Sequence, residues 1–518
     1  MFMEVGGEVA ARHEALVSAL RAAVETGFPE GHVAELEEII LGECFDAFRR
    51  ALTGEPPARV APMRVTLKQG ADLTQVKAKP RVYPPEKSTW LTEHFELLCE
   101  TGMVYPNPQA VCASVAMAFT KGPGKGYRLV ADFSPINVQC ELVPGPMLNP
   151  EIEGEKCAGA VAFCTMDCLQ GYCQCPLAKE AREYFTLVTR DGLFTPTRVP
   201  QEVMNATSYF QGMMMEVLGD LVGRACLIYV DDVKVIGRSV EDLIVYLRSV
   251  LLRLMKRGLF LAAHTLVRFA TEVTWCGKLD SGTAVRHDPE RVRGLEEMRR
   301  PETVGELMQI LQATNWMRLS LPHMAEIVAP LRALMELRLK GTSRTKRVAS
   351  RRALTDGDWT LERVEAWDNS RGMLMNAVEL SFRRADDCRA LMFPDASDLF
   401  WGCCLTQVPK EDLVAGLSFM DMSHEPLAFL SGPTVDKESF AILSAFQRVP
   451  YLLWDGSNIF CDHRNLAYIF SPQSCGVTLS KAASQRLAGW RACMRQFNYV
   501  IQHIPGEENH WGDLLSRW

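Results

Sequence analysis

The chain of 518 residues contains 63 acidic and 56 basic residues, so its formal net charge is −7. This length suits roughly three to four compact units with ample core. The seventeen cysteines are irregularly spaced, and this spacing in a long chain excludes a small disulfide-rich secreted domain and predicts free thiols in the core. No apolar run approaches the ~18 residues of a membrane-spanning helix, and Arg12, His13 and Arg21 interrupt the N-terminal apolar segment, so we expect a soluble protein without a signal peptide.

The first predicted elements along the chain are helical. The spacing of apolar residues predicts a helix over Val33–Leu52, and Pro56, Pro57 and Pro62 predict an extended connector after it. A second amphipathic stretch, from Trp90 to Met103, predicts another helix. A helix, a connector and a second helix are therefore expected before the first strand-rich region.

Three carboxylates follow in the pattern of a metal site. Asp167 ends an apolar, strand-compatible run that begins at Ala160, and Asp231 and Asp232 lie between two further apolar runs. A strand–turn–strand unit would hold the last two acids at an exposed tip, where their like charges repel and a divalent cation would relieve the repulsion. The set predicts a two-metal site for nucleotidyl transfer. For the Asp-Asp pair alone, a chance acidic turn is the alternative.

At these residues the chain resembles the reverse transcriptases of gypsy-type LTR retrotransposons. The palm pattern of that family is a strand ending in Asp, then Gly-Tyr, then Tyr-x-Asp-Asp, and it matches Asp167, Gly171, Tyr172 and the segment 229–232. The same order continues at other segments, namely 84–87, 127–133, 136–137, 191–194, 205–211, 275–277 and 288–292. The resemblance implies a right-hand polymerase of fingers, palm and thumb.

Between the thumb-like region and the next acidic set lies a concentration of basic residues. Thr303 and Glu306 first predict the start of a thumb helix by the capping-box pattern. A net charge of −7 has the wrong sign for a protein that binds phosphates over its whole surface, so the basic residues must be concentrated. One run without acids is visible: Arg338, Lys340, Arg344, Lys346, Arg347, Arg351 and Arg352. It is either a disordered, solvated linker or a phosphate contact for a nucleic-acid hybrid.

A second acidic set resembles the RNase H domain of the same family. Its members are Asp395, Glu438, Asp462 and Asp513. The resemblance implies that these four carboxylates hold two Mg²⁺ ions, which activate a water and stabilise the leaving 3′ oxygen of an RNA phosphodiester. Each acid considered alone is more simply a solvated surface residue.

The resemblance also assigns roles in the polymerase site. Asp167 and Asp231 become the principal metal ligands and Asp232 the weaker third, with two Mg²⁺ ions per active site and Mn²⁺ as a substitute. Four residues are expected to contact the incoming nucleotide. Lys121 and Arg128 would grip its phosphates, Tyr172 would block a ribose 2′ hydroxyl, and Gln201 would contact the nucleotide. Surface charge and a core tyrosine are the alternatives for the first three.

Two departures from the family pattern bear on activity. The family has glycine where this chain has Glu202, and a carboxylate there adds bulk and repels phosphate. The family has lysine, a candidate proton donor to pyrophosphate, where this chain has Thr265. A catalytically decayed retroelement remnant that folds and binds nucleic acid is therefore the alternative to an active enzyme.

We thus expect an α+β multidomain protein, in which a right-hand polymerase is followed by an RNase H-like mixed-sheet α/β domain. It would copy an RNA template from a DNA primer with dNTPs and degrade the RNA of the RNA–DNA hybrid, with no membrane partner and with a dimer left open. We expect a fragment of a Pol polyprotein in a cytoplasmic retroelement particle, with nuclear entry left open. The predicted domains are an N-terminal helix and connector (1–80), fingers and palm (81–240), thumb (241–335), connection (336–385) and RNase H (386–518).

Overall fold

The computed structural model of the chain forms two compact units, Met1–Cys276 and Gly277–Trp518. This division falls inside the segment predicted as the thumb, and the predicted domain boundaries stay predictions. In the described part of the chain, no helix is long and apolar enough to cross a membrane. The structure describes residues 5–52, 54–122, 126–415, 417–418, 421–433, 437–470, 489–490, 492–506 and 509.

The first unit mixes helices with short strands. Its helices are α1 (Val5–Glu25), α2 (Val33–Glu37), α3 (Pro85–Glu100), α4 (Ser134–Asn137), α5 (Pro150–Gly154), α6 (Gly171–Gln174), α7 (Ala206–Leu218) and α8 (Val240–Arg257). Its strands are β1 (Phe48–Arg49), β2 (Val104–Pro106), β3 (Ser114–Thr120), β4 (Tyr127–Asp132), β5 (Ala162–Asp167), β6 (Leu187–Thr189), β7 (Gly192–Pro196), β8 (Cys226–Tyr229), β9 (Asp232–Gly237), β10 (Leu261–Ala262), β11 (Val267–Ala270) and β12 (Val273–Trp275).

Two sheets organise this unit. In the first, the strand order is β11-β5-β9-β8 and each neighbouring pair is antiparallel. Helix α8 packs against β9 and contributes Leu247, Leu251 and Leu254 to the core at helical spacing, between an N-cap at Ser239 and a left-handed Gly258. In the second sheet, the order is β2-β7-β6-β3-β4. The two sheets correspond to the palm and fingers of the expected fold.

The N-terminal prediction was only partly right. Helical structure begins at Val33 as expected, but α2 passes into a π-helical turn over Glu38–Glu43, and the chain is already extended at Phe48, where β1 pairs in parallel with β10. Helix α1 had no counterpart among the predicted elements. It is fixed by Arg12, which is buried and donates a hydrogen bond of 2.9 Å to the carbonyl of Phe48.

The second unit contains a helical region followed by a mixed sheet. Its helices are α9 (Pro289–Glu296), α10 (Val304–Trp316), α11 (Met324–Ile327), α12 (Ala329–Leu339), α13 (Lys346–Ala349), α14 (Leu361–Met375), α15 (Lys410–Val414), α16 (Lys437–Arg448), α17 (Pro450–Leu453) and α18 (Arg464–Phe470). Its strands are β13 (Lys278–Asp280), β14 (Ala284–His287), β15 (Leu380–Ser381), β16 (Cys388–Ala396), β17 (Phe400–Pro409), β18 (Glu425–Pro433), β19 (Ser457–Cys461) and β20 (Tyr499–His503).

The C-terminal sheet has the predicted mixed topology. The strand order is β18-β17-β16-β19-β20, with antiparallel pairs from β18 to β16 and parallel pairs from β16 to β20. Helix α16 packs on β16 and β17. Parallel neighbours need a crossover, and the segment between β18 and β19 contains α16 and α17. The expected α+β fold class, with an RNase H-like mixed sheet, is therefore confirmed.

The cysteines behave as expected for core thiols. Those in the described residues are free, and most of them are buried. Burial raises the pKa of Cys44 to about 11, which keeps that thiol protonated and unreactive near neutral pH.

Candidate active sites

The palm hairpin carries two of the candidate carboxylates. Strands β8 and β9 are antiparallel, and Tyr229 lies opposite Asp232, so the turn consists of Val230 and Asp231. Val230 has a φ of 58°, in the left-handed region that a β-branched residue rarely adopts. The predicted strand–turn–strand unit is present, and its tip has a constrained backbone.

The third carboxylate lies directly beside this turn. Asp167 ends β5 and lies opposite Asp232 in the β5–β9 register. The backbone N–H of the next residue, Cys168, donates a hydrogen bond of 2.9 Å to the carbonyl of Asp231. Two main-chain interactions therefore hold Asp167 beside Asp231 and Asp232, which lie more than 60 residues later in sequence.

Like charges and burial perturb this group strongly. Burial, a hydrogen bond with Asp167 and the charges of Asp167 and Asp231 raise the pKa of Asp232 to about 7. Burial, together with the charge of Asp167, also raises the pKa of Asp231. Burial and repulsion between clustered carboxylates are the usual causes of such raised pKa values at functional sites.

The chemistry of the donors fits a hard divalent cation. Three carboxylates offer only oxygen ligands, which Mg²⁺ and Mn²⁺ prefer. Within the described residues, no group of three His, Cys, Asp or Glu side chains is close enough together to hold an ion as the structure stands. Burial and the neighbouring negative charges raise the pKa of Asp232, and a bound cation would offset both effects. By the chemistry of their donors, the three acids therefore fit a divalent metal ion.

A second pair of acids meets in the C-terminal sheet. Strands β16 and β19 are parallel, with Met392 opposite Ile459. Asp395 and Asp462 lie three residues further along each chain, so they reach the same level of the sheet. Asp395 is 2% exposed, and the Oδ1 atom of Asp462 is buried without a hydrogen-bond partner among the described residues. An orphaned carboxylate oxygen beside a second buried acid also fits a divalent cation.

The other two predicted ligands of this site are less defined. Glu438 lies in α16, but its side chain is outside the described part of the structure, and Asp513 lies outside the described residues altogether. Asn509 was not predicted to act here. It is fully buried, and its amide donates a hydrogen bond of 3.3 Å to the carbonyl of Pro394, next to Asp395. Asn509 is therefore tied to the strand that carries Asp395.

Comparison with known families gives two matches along the chain. Residues 126–278 match the family model of the reverse transcriptase (RNA-dependent DNA polymerase), and residues 388–497 match the RNase H-like domain found in reverse transcriptase. The chain therefore contains a reverse transcriptase domain followed by an RNase H-like domain. Domains of both families use divalent metal ions.

Curated relatives of this chain are transposon polyproteins. The retrovirus-related Pol polyprotein from transposon opus of Drosophila melanogaster is 24% identical over 455 residues, which cover 85% of this chain and 43% of the relative. The transposon Tf2-3 polyprotein of Schizosaccharomyces pombe is 24% identical over 440 residues, which cover 84% of this chain and 31% of the relative. The chain thus spans less than half the length of these relatives.

Solved structures share the fold of this chain. The foamy viral protease-reverse transcriptase in complex with dsDNA has a TM-score of 0.74 and 15% identity, covering 98% of each chain. The same viral protein in complex with an RNA/DNA hybrid has a TM-score of 0.73 and 15% identity, covering 98% of this chain and 64% of that chain. At this identity the likeness concerns the fold alone.

The predicted nucleotide-contacting residues of the reverse transcriptase lie on separate elements. Lys121 follows β3 and Arg128 lies in β4, so both belong to one exposed hairpin of the fingers sheet. Gln201 is exposed in the turn before Glu202. In the described part of the chain, no hydrogen bond or ion pair joins these three residues to the palm carboxylates. Their contacts with a nucleotide stay predictions.

Tyr172 does lie beside the palm carboxylates. Its hydroxyl is 3.2 Å from the hydroxyl of Thr207, and its ring packs edge-on against Phe210 with centroids 5.3 Å apart. Burial raises the pKa of Tyr172, the hydrogen bond with Thr207 lowers it, and the charge of Asp231 raises it further. The contact of this half-buried ring with the sugar of a nucleotide stays a prediction.

Glu202 occupies a glycine-type backbone position. Its φ is 67°, in the left-handed region that favours glycine. Asn137 imposes this turn, because its amide donates to the carbonyl of Glu202 at 2.9 Å and accepts from the N–H of Met204 at 2.9 Å. The other departure, Thr265, lies in a turn after β10, where its hydroxyl donates to the carbonyl of Ala262 at 3.1 Å.

Gln211 was missed as a residue that positions the catalytic turn. It lies in α7 and is fully buried. Its Oε1 atom accepts a hydrogen bond of 2.7 Å from the N–H of Val230, and its Nε2 atom donates one of 3.3 Å to the carbonyl of Ile228. The signal was a glutamine within an otherwise apolar helical run, but its partner could not be read from sequence.

Lys234 was also missed. It lies in β9 on the same face as Asp232, two residues further on, and it is fully buried. Its ammonium group is 4.3 Å from the ring centroid of Trp275 and 5.8 Å from that of Phe163. A cation held between two aromatic faces joins β12 to the palm sheet.

Proposed function

We propose that this chain itself catalyses both reactions, RNA-directed DNA synthesis and cleavage of the RNA in an RNA–DNA hybrid. The observation that carries the proposal is the pairing of Asp167 with Asp232, together with the Cys168–Asp231 backbone hydrogen bond. These interactions bring the three acids of a nucleotidyl-transfer site together on one rigid sheet.

In the polymerase site, Asp167, Asp231 and Asp232 would hold Mg²⁺, two ions per site, with Mn²⁺ as a substitute. When bound, the ions supply Lewis-acid polarisation of the primer 3′ hydroxyl and of the triphosphate oxygens. Gln211 keeps the catalytic turn in position, and Tyr172 borders the sugar of the incoming dNTP. Because a ribose carries an extra hydroxyl, a fixed ring at this place selects deoxynucleotides by steric exclusion.

In the RNase H site, Asp395, Glu438, Asp462 and Asp513 would hold a second pair of ions. Asp395 is buried, and so is the Oδ1 atom of Asp462, so these groups need little reorganisation to bind a cation. Asn509 is held next to Asp395 by its hydrogen bond to the carbonyl of Pro394. Because Asp513 follows only four residues later in sequence, this contact would help it to reach the site.

The proposed partners are an RNA template, a DNA primer and the RNA–DNA hybrid. Support comes from the structural neighbours, whose complexes contain dsDNA and an RNA/DNA hybrid. We further propose a retroelement particle in the cytoplasm as the site of action, because the curated relatives are transposon polyproteins. Nuclear entry and a dimeric state are extensions of this proposal.

Primer extension on an RNA template with dNTPs and Mg²⁺ tests the polymerase, and cleavage of a labelled hybrid tests the RNase H. We expect Asp231→Asn to abolish extension and leave cleavage intact, and Asp395→Asn to do the reverse. Each variant is thus the folding control for the other. Folded parent protein without either activity would contradict the proposal.

A decayed copy that folds and binds nucleic acid is the second candidate. Glu202 in a glycine-type turn and Thr265 in place of a lysine favour it. Binding of a hybrid by the parent without extension or cleavage would support this candidate.

A further inference from the structure

The basic run between residues 338 and 352 does not behave as one charged stretch. Three of its cations are engaged within the protein. Arg338 pairs with Asp358 at 2.7 Å and lowers the pKa of that carboxyl to about 2, and Arg344 pairs with Glu336 at 2.5 Å. Arg352 donates a hydrogen bond of 2.6 Å to the carbonyl of Arg338.

The remaining four cations form what we call the α12–α13 basic surface. Its members are Lys340, Lys346, Arg347 and Arg351. All four are exposed, and none of them forms an ion pair within the described residues. The surface therefore presents four uncompensated charges within twelve residues.

The backbone that carries this surface is firmly held, which excludes the disordered linker that the sequence had left open. Two hydrogen bonds fasten it to the start of α10: the N–H of Val304 donates to the carbonyl of Arg352 at 2.9 Å, and the N–H of Leu354 donates to the carbonyl of Glu302 at 2.8 Å. An isolated bridge between Thr303 and Ala353 lies beside them.

Apolar packing holds the same segment from inside. Leu339 at the end of α12 and Ala349 in α13 are buried with Val304 in one cluster. Gly305 approaches Ser350 so closely that a Cβ atom there would lie 2.4 Å from the serine Oγ atom. The four cations therefore project from a rigid platform, and their spacing is set by the fold.

Electrostatics indicates what such a platform can bind. No acid occurs between residues 337 and 355; among the acids just outside this range, Glu336 and Asp358 are already paired and Asp356 is exposed. Like charges held close together repel one another and attract polyanions. In a chain of net charge −7, this concentration is a local exception. A phosphate backbone offers repeated anions, whereas a single anion would engage only one or two of the four cations.

We propose that the α12–α13 basic surface binds the sugar–phosphate backbone of a nucleic-acid duplex without reading its sequence. The inference rests on the proposed function, because it takes the chain to bind nucleic acid. Two lysines and two arginines would contact phosphates as point charges and as forked donors. Such contacts position a duplex and carry no base specificity.

The test is the salt dependence of duplex binding by the full chain. The variant combines Lys340→Ala, Lys346→Ala, Arg347→Ala and Arg351→Ala. A matched control removes the same charge at four scattered exposed positions, by Arg21→Ala, Lys77→Ala, Lys179→Ala and Lys256→Ala. Fluorescence anisotropy with a labelled DNA duplex, in the absence of divalent metal, gives the slope of log K against log salt.

Each phosphate contact contributes about 0.9 to this slope, so the quadruple variant should lose about two to four units while the control stays near the parent. Equal losses in both variants would reduce the effect to net charge and overturn the inference. An unchanged slope in a variant with parental circular dichroism would overturn it too, as would tight binding of an acidic peptide that requires these four residues. A parent that binds no duplex would instead remove the proposed function on which the inference rests.

Discussion

Replacing Glu202 by glycine should both stabilise the first unit and raise polymerase activity. The side chain is attached to a backbone held at a φ of 67°. Asn137 enforces this conformation with hydrogen bonds on both sides of the turn, so the chain cannot relax to a negative φ without losing them. The cost is therefore built into the folded state.

The magnitude follows from the backbone position. A non-glycine residue in the left-handed region destabilises the folded state by about 1–2 kcal/mol, which glycine would relieve. The greater conformational freedom of glycine in the unfolded chain reduces this gain in the free energy of unfolding by about 0.4–1 kcal/mol. The net gain is about 0.5–1 kcal/mol. For a unit of this size, 1 kcal/mol shifts Tm by about 2–4 °C, so we expect a rise of about 1–4 °C.

Thermal unfolding and primer extension separate the two effects of Glu202. Glu202→Ala removes the carboxylate but keeps the strained backbone, so it should leave Tm near the parental value. Loss of the carboxylate should raise extension in both variants, since like charge no longer opposes the triphosphate, and glycine should add a further gain. We expect about a threefold to tenfold rise for glycine, which corresponds to about 0.7–1.4 kcal/mol.

The reasoning makes two separable claims, so it can fail in two ways. If glycine and alanine variants have the same Tm, the positive φ stores no strain and the Asn137 clamp does not impose it. If neither substitution changes extension, the carboxylate does not act on the nucleotide, and the departure at residue 202 has no bearing on decay.

Three further outcomes are expected. Gln211→Met leaves the N–H of Val230 without an acceptor, which costs about 1–3 kcal/mol, so kcat should fall about tenfold at unchanged dNTP KM. An unchanged kcat would show that Gln211 does not position the catalytic turn. Tyr172→Ala should admit ribonucleotides while Tyr172→Phe excludes them; equal discrimination in both removes that role. Lys234→Met removes a buried cation–π contact of about 2 kcal/mol, so it should lower Tm and shift the fluorescence of Trp275. An unchanged fluorescence spectrum would contradict the contact between Lys234 and Trp275.

The parts of the site that sequence predicted were those set by local pattern. Asp231 and Asp232 lie between two apolar runs, and short apolar runs that flank a polar pair form a hairpin with little dependence on the rest of the chain. Asp167 was found because it ends a run of the same kind. That these acids meet depends on one strand pairing, β5 with β9, which the family order supplied and the residues alone did not.

What sequence missed depends on partners far along the chain. Gln211 is a polar residue on the buried side of its helix, and its role exists only because the hairpin lies against that helix. Helix α1 has an ordinary composition, and its place is set by the contact of Arg12 with Phe48. The basic run showed its charge in sequence, but which four cations stay unpaired depends on the positions of Glu336 and Asp358.

The energetics of the palm site bear on whether the chain is active or decayed. The pKa of Asp232 rises from 3.8 to about 7 on folding. Without metal, this carboxyl does not destabilise the folded state below about pH 4, and its cost grows as the pH rises and is complete above about pH 7. Losing one of the three acids would remove this cost, whereas a site for divalent ions would need all three. Val230, with its backbone in the left-handed region, adds a second cost at the same turn. Costs confined to the turn that carries the acids are what we expect of a functional site, so they favour the active enzyme that we propose over the decayed copy.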